Sequence, residues 1–121
     1  MSGMEDRETI QVRLYEKEGK EEILYSDPDN PYESREIRAR IIGGALTIKD
    51  SECEHAPDGG WSHRTIVFDR ENTQKVFAFL SDICYDPFRA LKKLINYNDG
   101  LIPFLDACNE RGIKYESRWS F

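Results

Sequence analysis

The sequence predicts an α+β domain: an antiparallel sheet of four to six strands, with about three helices packed on one face and a strand at the C-terminus. Three observations carry this. Short alternating apolar runs fill the first half of the chain, from Ile10 to Phe68. Apolar residues at helical spacing fill residues 70–110. Alternation then returns from Ile113 to Phe121. With 121 residues the chain has one domain's worth of core, so residues 1–121 read as a single domain.

The elements follow in order. Residues 1–8 are polar and read as a frayed end. Ile10, Val12 and Leu14 alternate with Gln11, Arg13 and Tyr15, which predicts a strand. Gly19 then marks a turn, and Ile23-Leu24-Tyr25 predicts a partner strand in a hairpin. Asp27-Pro28-Asp29-Asn30-Pro31 breaks the pattern and reads as a loop. Ile37, Ala39 and Ile41 alternate with Glu36, Arg38 and Arg40 as a third strand. Gly43-Gly44 marks either a tight turn or a bulge before Leu46 and Ile48. Residues 50–60 read as a polar loop, and Thr65-Ile66-Val67-Phe68 as a further strand.

Asp69 is a strong helix start. Val76, Phe79, Leu80 and Ile83 behind it share one helical face. Asp86-Pro87 is a second start, a cap followed by proline, with Phe88, Leu91, Leu94 and Ile95 as the dry face. Asn96 to Gly100 breaks that helix. Leu101, Phe104, Leu105 and Cys108 give a third face, with Pro103 tolerated only in the first turn and Gly112 as the stop. In the last strand Ile113, Tyr115, Trp119 and Phe121 share a side, which makes Trp119 core material and calls for a pairing partner.

Composition excludes several functions. Net charge is −6, which opposes binding to phosphate backbones and argues against a nucleic-acid partner. No apolar run approaches the roughly 20 residues that span a bilayer, and residues 1–9 lack the apolar stretch of a secretory signal. Cys53, Cys84 and Cys108 are an odd number without C-x-x-C spacing, so no disulfide framework follows and the cytoplasm is the expected compartment. G-x-S-x-G, H-E-x-x-H, P-loop and G-x-G-x-x-G patterns do not occur, so no reaction and no cofactor is expected.

The charge is uneven. Residues 1–60 carry 8 basic and 15 acidic side chains, whereas residues 61–121 carry 9 and 8. Asp50, Glu52, Glu54 and Asp58 stand close together with no Lys or Arg between them, and Trp61 follows. Acid for the encounter and a ring for burial suit a binder of basic proteins, so these five residues are the candidate partner-binding set. An alternative draws on the same stretch. Cys53, His55 and His63 offer thiolate and imidazole, as a metal-dependent or cysteine hydrolase would need, though their spacing fits no common zinc pattern.

The stretch from Trp61 through Phe68-Asp69-Arg70-Glu71-Asn72-Thr73, and then that from Phe104 through Arg111 to Gly112-Ile113-Lys114-Tyr115, resemble a group of small bacterial proteins of the immunity-protein type. The resemblance covers about half the chain and transfers no binding residues. It implies a non-enzymatic protein that neutralises a toxin domain, here a basic one such as a nuclease, by acidic occlusion. Such a chain is expected as a monomer, or as a homodimer through an edge strand, either residues 10–14 or the C-terminal strand.

Overall fold

The computed structural model describes residues 7–27, 33–54, 60–95 and 99–120. Along the chain run α1 (Arg7–Lys17), β1 (Glu21–Asp27), β2 (Glu33–Ile42), β3 (Ala45–Glu54), β4 (Trp61–Val67), α2 (Arg70–Leu80), α3 (Pro87–Leu94), α4 (Ile102–Glu110) and β5 (Glu116–Ser120). The strands form one antiparallel sheet in sequence order, β1-β2-β3-β4-β5. The α+β class therefore holds, with five strands and four helices among the described residues.

Period-two alternation decides which face is dry. Ile37, Ala39 and Ile41 of β2 lie opposite Asp50, Ile48 and Leu46 of β3, and Ile48 lies opposite Ile66 of β4. These apolar side chains are fully buried, while Arg38, Arg40 and Lys49 between them are exposed. Val76, Phe77 and Leu80 of α2, Phe88 and Leu91 of α3, and Phe104 and Cys108 of α4 complete the same core. All helices thus pack on one face, and the other face of the sheet is free of them. A buried threonine joins the layers: Thr73 Oγ1 accepts from the Leu46 amide at 2.9 Å and donates to the Phe68 carbonyl at 3.3 Å.

The first element departs from expectation. Residues 10–14 are helical, because Ile10 and Leu14, one helical turn apart, are both buried while Val12 is 48% exposed. A strand would place all three on one side. A run this short fits both periods, and packing against the core decides between them. The expected hairpin is therefore absent, and β1 pairs with β2 instead. Glu18 then ties the helix end to the next turn. Its carboxylate accepts from the amides of Gly43 at 2.7 Å and Gly44 at 3.0 Å. Those glycines form a two-residue turn with φ of +61° and +76°, so the tight turn holds here. The bulge lies elsewhere, at Leu24 between Ile23 and Tyr25.

Other expectations resolve in the same way. β3 runs on to Glu54, so residues 50–54 are strand rather than loop, while 55–59 lie outside the described residues. Residues 28–32 and 1–6 also lie outside them, and Arg7 already begins α1. Asp69 caps α2, accepting from the Asn72 amide at 2.7 Å. Asp86 caps α3 ahead of Pro87, and Pro103 sits in the first turn of α4. Gly112, with φ of +68°, ends α4. The C-terminal strand joins the sheet beside β4, but Trp119 is 63% exposed rather than core. All five residues of β5 are exposed, because the buried helical layer does not extend over them.

Two outcomes follow for stability. Leu14→Ala should cost about 2–3 kcal/mol in urea unfolding, whereas Val12→Ala should stay within about 0.5 kcal/mol. Equal costs would contradict the helical face. Asp86 gives a pH dependence. Burial pushes its carboxyl upward, but the Lys17 ammonium at 3.2 Å and the amides of Phe88 and Arg89 outweigh this and hold it below its ordinary value. A depressed carboxyl stabilises the fold at neutral pH and loses that contribution as pH falls below about 4. Asp86→Asn keeps the cap acceptor, so its melting temperature should fall less than that of the parent between about pH 6 and pH 3.

Candidate functional site

The antiparallel register of β3 and β4 is symmetric about position 57. It places Cys53 opposite Trp61, Glu52 opposite Ser62, Ser51 opposite His63 and Asp50 opposite Arg64. Because Ile48 and Ile66 face the helices, the even-numbered residues of this ribbon do so as well. Ser51, Cys53, Trp61 and His63 consequently share the helix-free face.

The expected acidic set is divided by this geometry. Asp50 points toward the helices and is only 8% exposed. Arg35 grips it with a two-pronged fork, Nε to Oδ1 at 3.1 Å and Nη2 to Oδ2 at 2.7 Å. Glu52, half-exposed, lies 3.4 Å from the same guanidinium. The hydrogen bond to Asp50 is the main reason the Arg35 pKa is raised, against the opposing effect of burial. Gly100, just before α4, lies against the Arg35 guanidinium. A Cβ added at Gly100 would collide with the Arg35 guanidinium, and Gly100 also holds φ at +54°. Glu54 ends β3, and Asp58 lies outside the described residues. Trp61 is on the opposite side of the sheet from Asp50 and Glu52.

On the helix-free face Trp61 is 51% exposed. Its ring lies parallel to that of His63, with centroids 6.0 Å apart and 2° between the planes. His63 Nδ1 is 2.8 Å from Ser51 Oγ. These groups border an open hollow of about 450 Å³, whose far wall is Glu21, Glu36, Arg38 and Lys49. Arg38 bonds Glu21 at 2.7 Å and also bonds Glu36, the ordinary fate of a strand arginine beside acids. No family model, curated protein or solved structure matches this chain in the comparisons made.

A serine hydroxyl bonded to an imidazole is nucleophile–base geometry, but among the described residues no third side chain orients His63. Cys53 shares this face with His63, while His55 lies outside the described residues. Among the described residues no group of three His, Cys, Asp or Glu side chains is placed to hold a metal. Burial pushes the Cys108 thiol up to about 12, Arg111 offsetting only part of this, so that sulfur is a core atom. Among the described residues no helix is long and apolar enough to cross a membrane.

A polar loop over residues 50–60 contains no Ser51–His63 contact, whereas the register of β3 with β4 sets the two residues opposite each other. The fork at Asp50 is open to direct test. Asp50→Ala leaves a mostly buried guanidinium short of its main partner and should cost about 2–3 kcal/mol in denaturant unfolding. Glu52→Ala, at an exposed partner, should cost less than about 1 kcal/mol.

Proposed function

We propose that this chain is a non-enzymatic protein-binding module whose partner docks on the helix-free face of the sheet, with Trp61 as the anchor. The observation that carries the reading is an indole half-exposed at the rim of an open hollow, its ring laid against His63 rather than tucked into the core. Tryptophan gives much contact area for little lost freedom, and such anchors dominate binding energy. Around it the face carries Arg38, Arg40, Lys49 and Arg118 together with Glu21, Glu36 and Glu116. A mixed rim of this kind selects a partner by charge pattern and leaves burial to the ring.

In its narrower form the partner is a toxin domain and the chain its immunity protein. The resemblance in residues 61–73 and 104–115, the net charge of −6 and the acidic excess in residues 1–60 support that form. They also support a protein partner over a nucleic acid. Cys53, Cys84 and Cys108 form no disulfide, in keeping with a reducing cytoplasm. Occlusion by the acids of residues 50–58 has less support, because Asp50 is committed to Arg35.

Reading the neighbouring genes for a toxin domain, and titration calorimetry against any domain so found, test both forms. Trp61→Ala should weaken binding by about 2 kcal/mol, roughly thirtyfold, and Glu52→Gln by no more than about twofold. Unchanged affinity in the Trp61 variant would remove the helix-free face from the interaction. A loss confined to Glu52→Gln would put acidic occlusion in its place. No binding by the parent chain would end the immunity form.

A further inference from the structure

The sheet has two edges, and their side chains differ in a way that points to a second copy of the chain. β1, at one edge, carries Glu21, Glu22 and Asp27, is bulged at Leu24, and is packed against α3, where Lys92 lies 3.6 Å from Glu22. Antiparallel self-pairing centred on Leu24 would set Glu21 against Asp27, two like charges, on each side of the centre. Charge, bulge and cover are devices by which natural sheets keep an edge unpaired.

β5, at the other edge, pairs with β4 without a bulge, carries one charge of each sign, and is covered by no helix among the described residues. Its sequence is Glu116-Ser117-Arg118-Trp119-Ser120, all five residues are exposed, and it pairs with β4 on one side. The charges allow one self-pairing and oppose its neighbours. A two-fold axis at Arg118 sets Arg118 against its own copy, and an axis at Glu116 does the same for Glu116. An axis at Ser117 sets Glu116 against Arg118 twice, on the helix-free face. On the other face it brings Trp119 toward Tyr115 of the second copy, which precedes β5 and packs on Phe68. Glu116 and Arg118 already bond at 2.6 Å along the strand, with both side chains about two-thirds exposed, so each is poised to meet the same partner across the axis. Trp119, exposed over Arg64 at 5.5 Å, would gain an aromatic neighbour.

We propose that the chain forms a two-fold homodimer by antiparallel pairing of β5 with β5 of a second copy, centred on Ser117, so that two five-stranded sheets become one of ten strands. The inference stands apart from the identity of any other partner, because it uses the edge and not the hollow beside Trp61.

Sedimentation of the full chain over a range of concentrations reads it out. The parent should be a dimer. Arg118→Glu and Glu116→Arg should each raise the dimer dissociation constant about tenfold or more, with unchanged circular dichroism. Mixing the two variants should restore dimer, because each then presents to the other the charges it lacks. Ser117→Cys should give a disulfide-linked dimer under mild oxidation, since residues on the axis bring their Cα atoms within about 4.5–5.5 Å. A parent that stays monomeric at millimolar concentration would overturn the proposal. So would a dimer indifferent to both charge variants, or a mixture that fails to associate although both variants remain folded.

Discussion

A carboxylate withdrawn from water is tolerable only when a cation meets it with good geometry, and Asp50 has that in Arg35. The fork closes the open end of the core, where the sheet extends past its apolar side chains. It also settles orientation. Successive side chains of a strand alternate sides, so an inward Asp50 sends Ser51 and Cys53 outward, and the register of β4 sends His63 and Trp61 with them. A slip of one residue would bury Ser51 and Lys49 and bring Ile48 into water. The fork and the isoleucines therefore oppose the same error.

The outcome is a sheet with two unlike faces. One is dry and closed by helices, with Phe68, Phe77, Phe88 and Phe104 filling the space between. The other is wet, ion-paired along β1 and β2, and aromatic where β3 meets β4. A chain of acidic net charge thereby presents a face of nearly balanced charge, because strand acids such as Asp50 and Glu52 point to the other side of the sheet. The indole at Trp61 has no core to enter on that side. Its parallel contact with His63 leaves the outer surface of the aromatic pair available.

The sheet margins show the same economy of means. At one end α1 and β1 are tied to the β2–β3 turn through Glu18, whose carboxylate gathers two glycine amides, and Gly19 bonds the Ile41 carbonyl at 2.7 Å. These bonds hold the end of α1 against the sheet. At the other end β5 is joined to β4 by five residue pairs and by Arg64, which donates to Ser117 and lies over Trp119. The first margin is fastened by side chains reaching inward, whereas the second keeps its side chains outward.

Much of this was legible in the residues. Asp69 and Asp86 cap their helices, Gly43-Gly44 turns its hairpin, Pro103 falls in a first turn, and the alternation of Ile37, Ala39 and Ile41 marks its own dry face. Each of these is a local preference, expressed by a residue and its near neighbours in sequence, and so the sequence by itself determined the α+β class and the order of most elements. It could not assign Ile10 and Leu14, whose spacing suits a helix or a strand until a core is present to bury them on one side. Nor could it show that Asp50 belongs to Arg35, that Trp61 faces away from the acids beside it, or that Trp119 lies beyond the reach of the helices. Those depend on pairing between distant segments and on which face the helices cover, and only tertiary structure decides them, because burial is a property of the assembled layers and not of any stretch of chain.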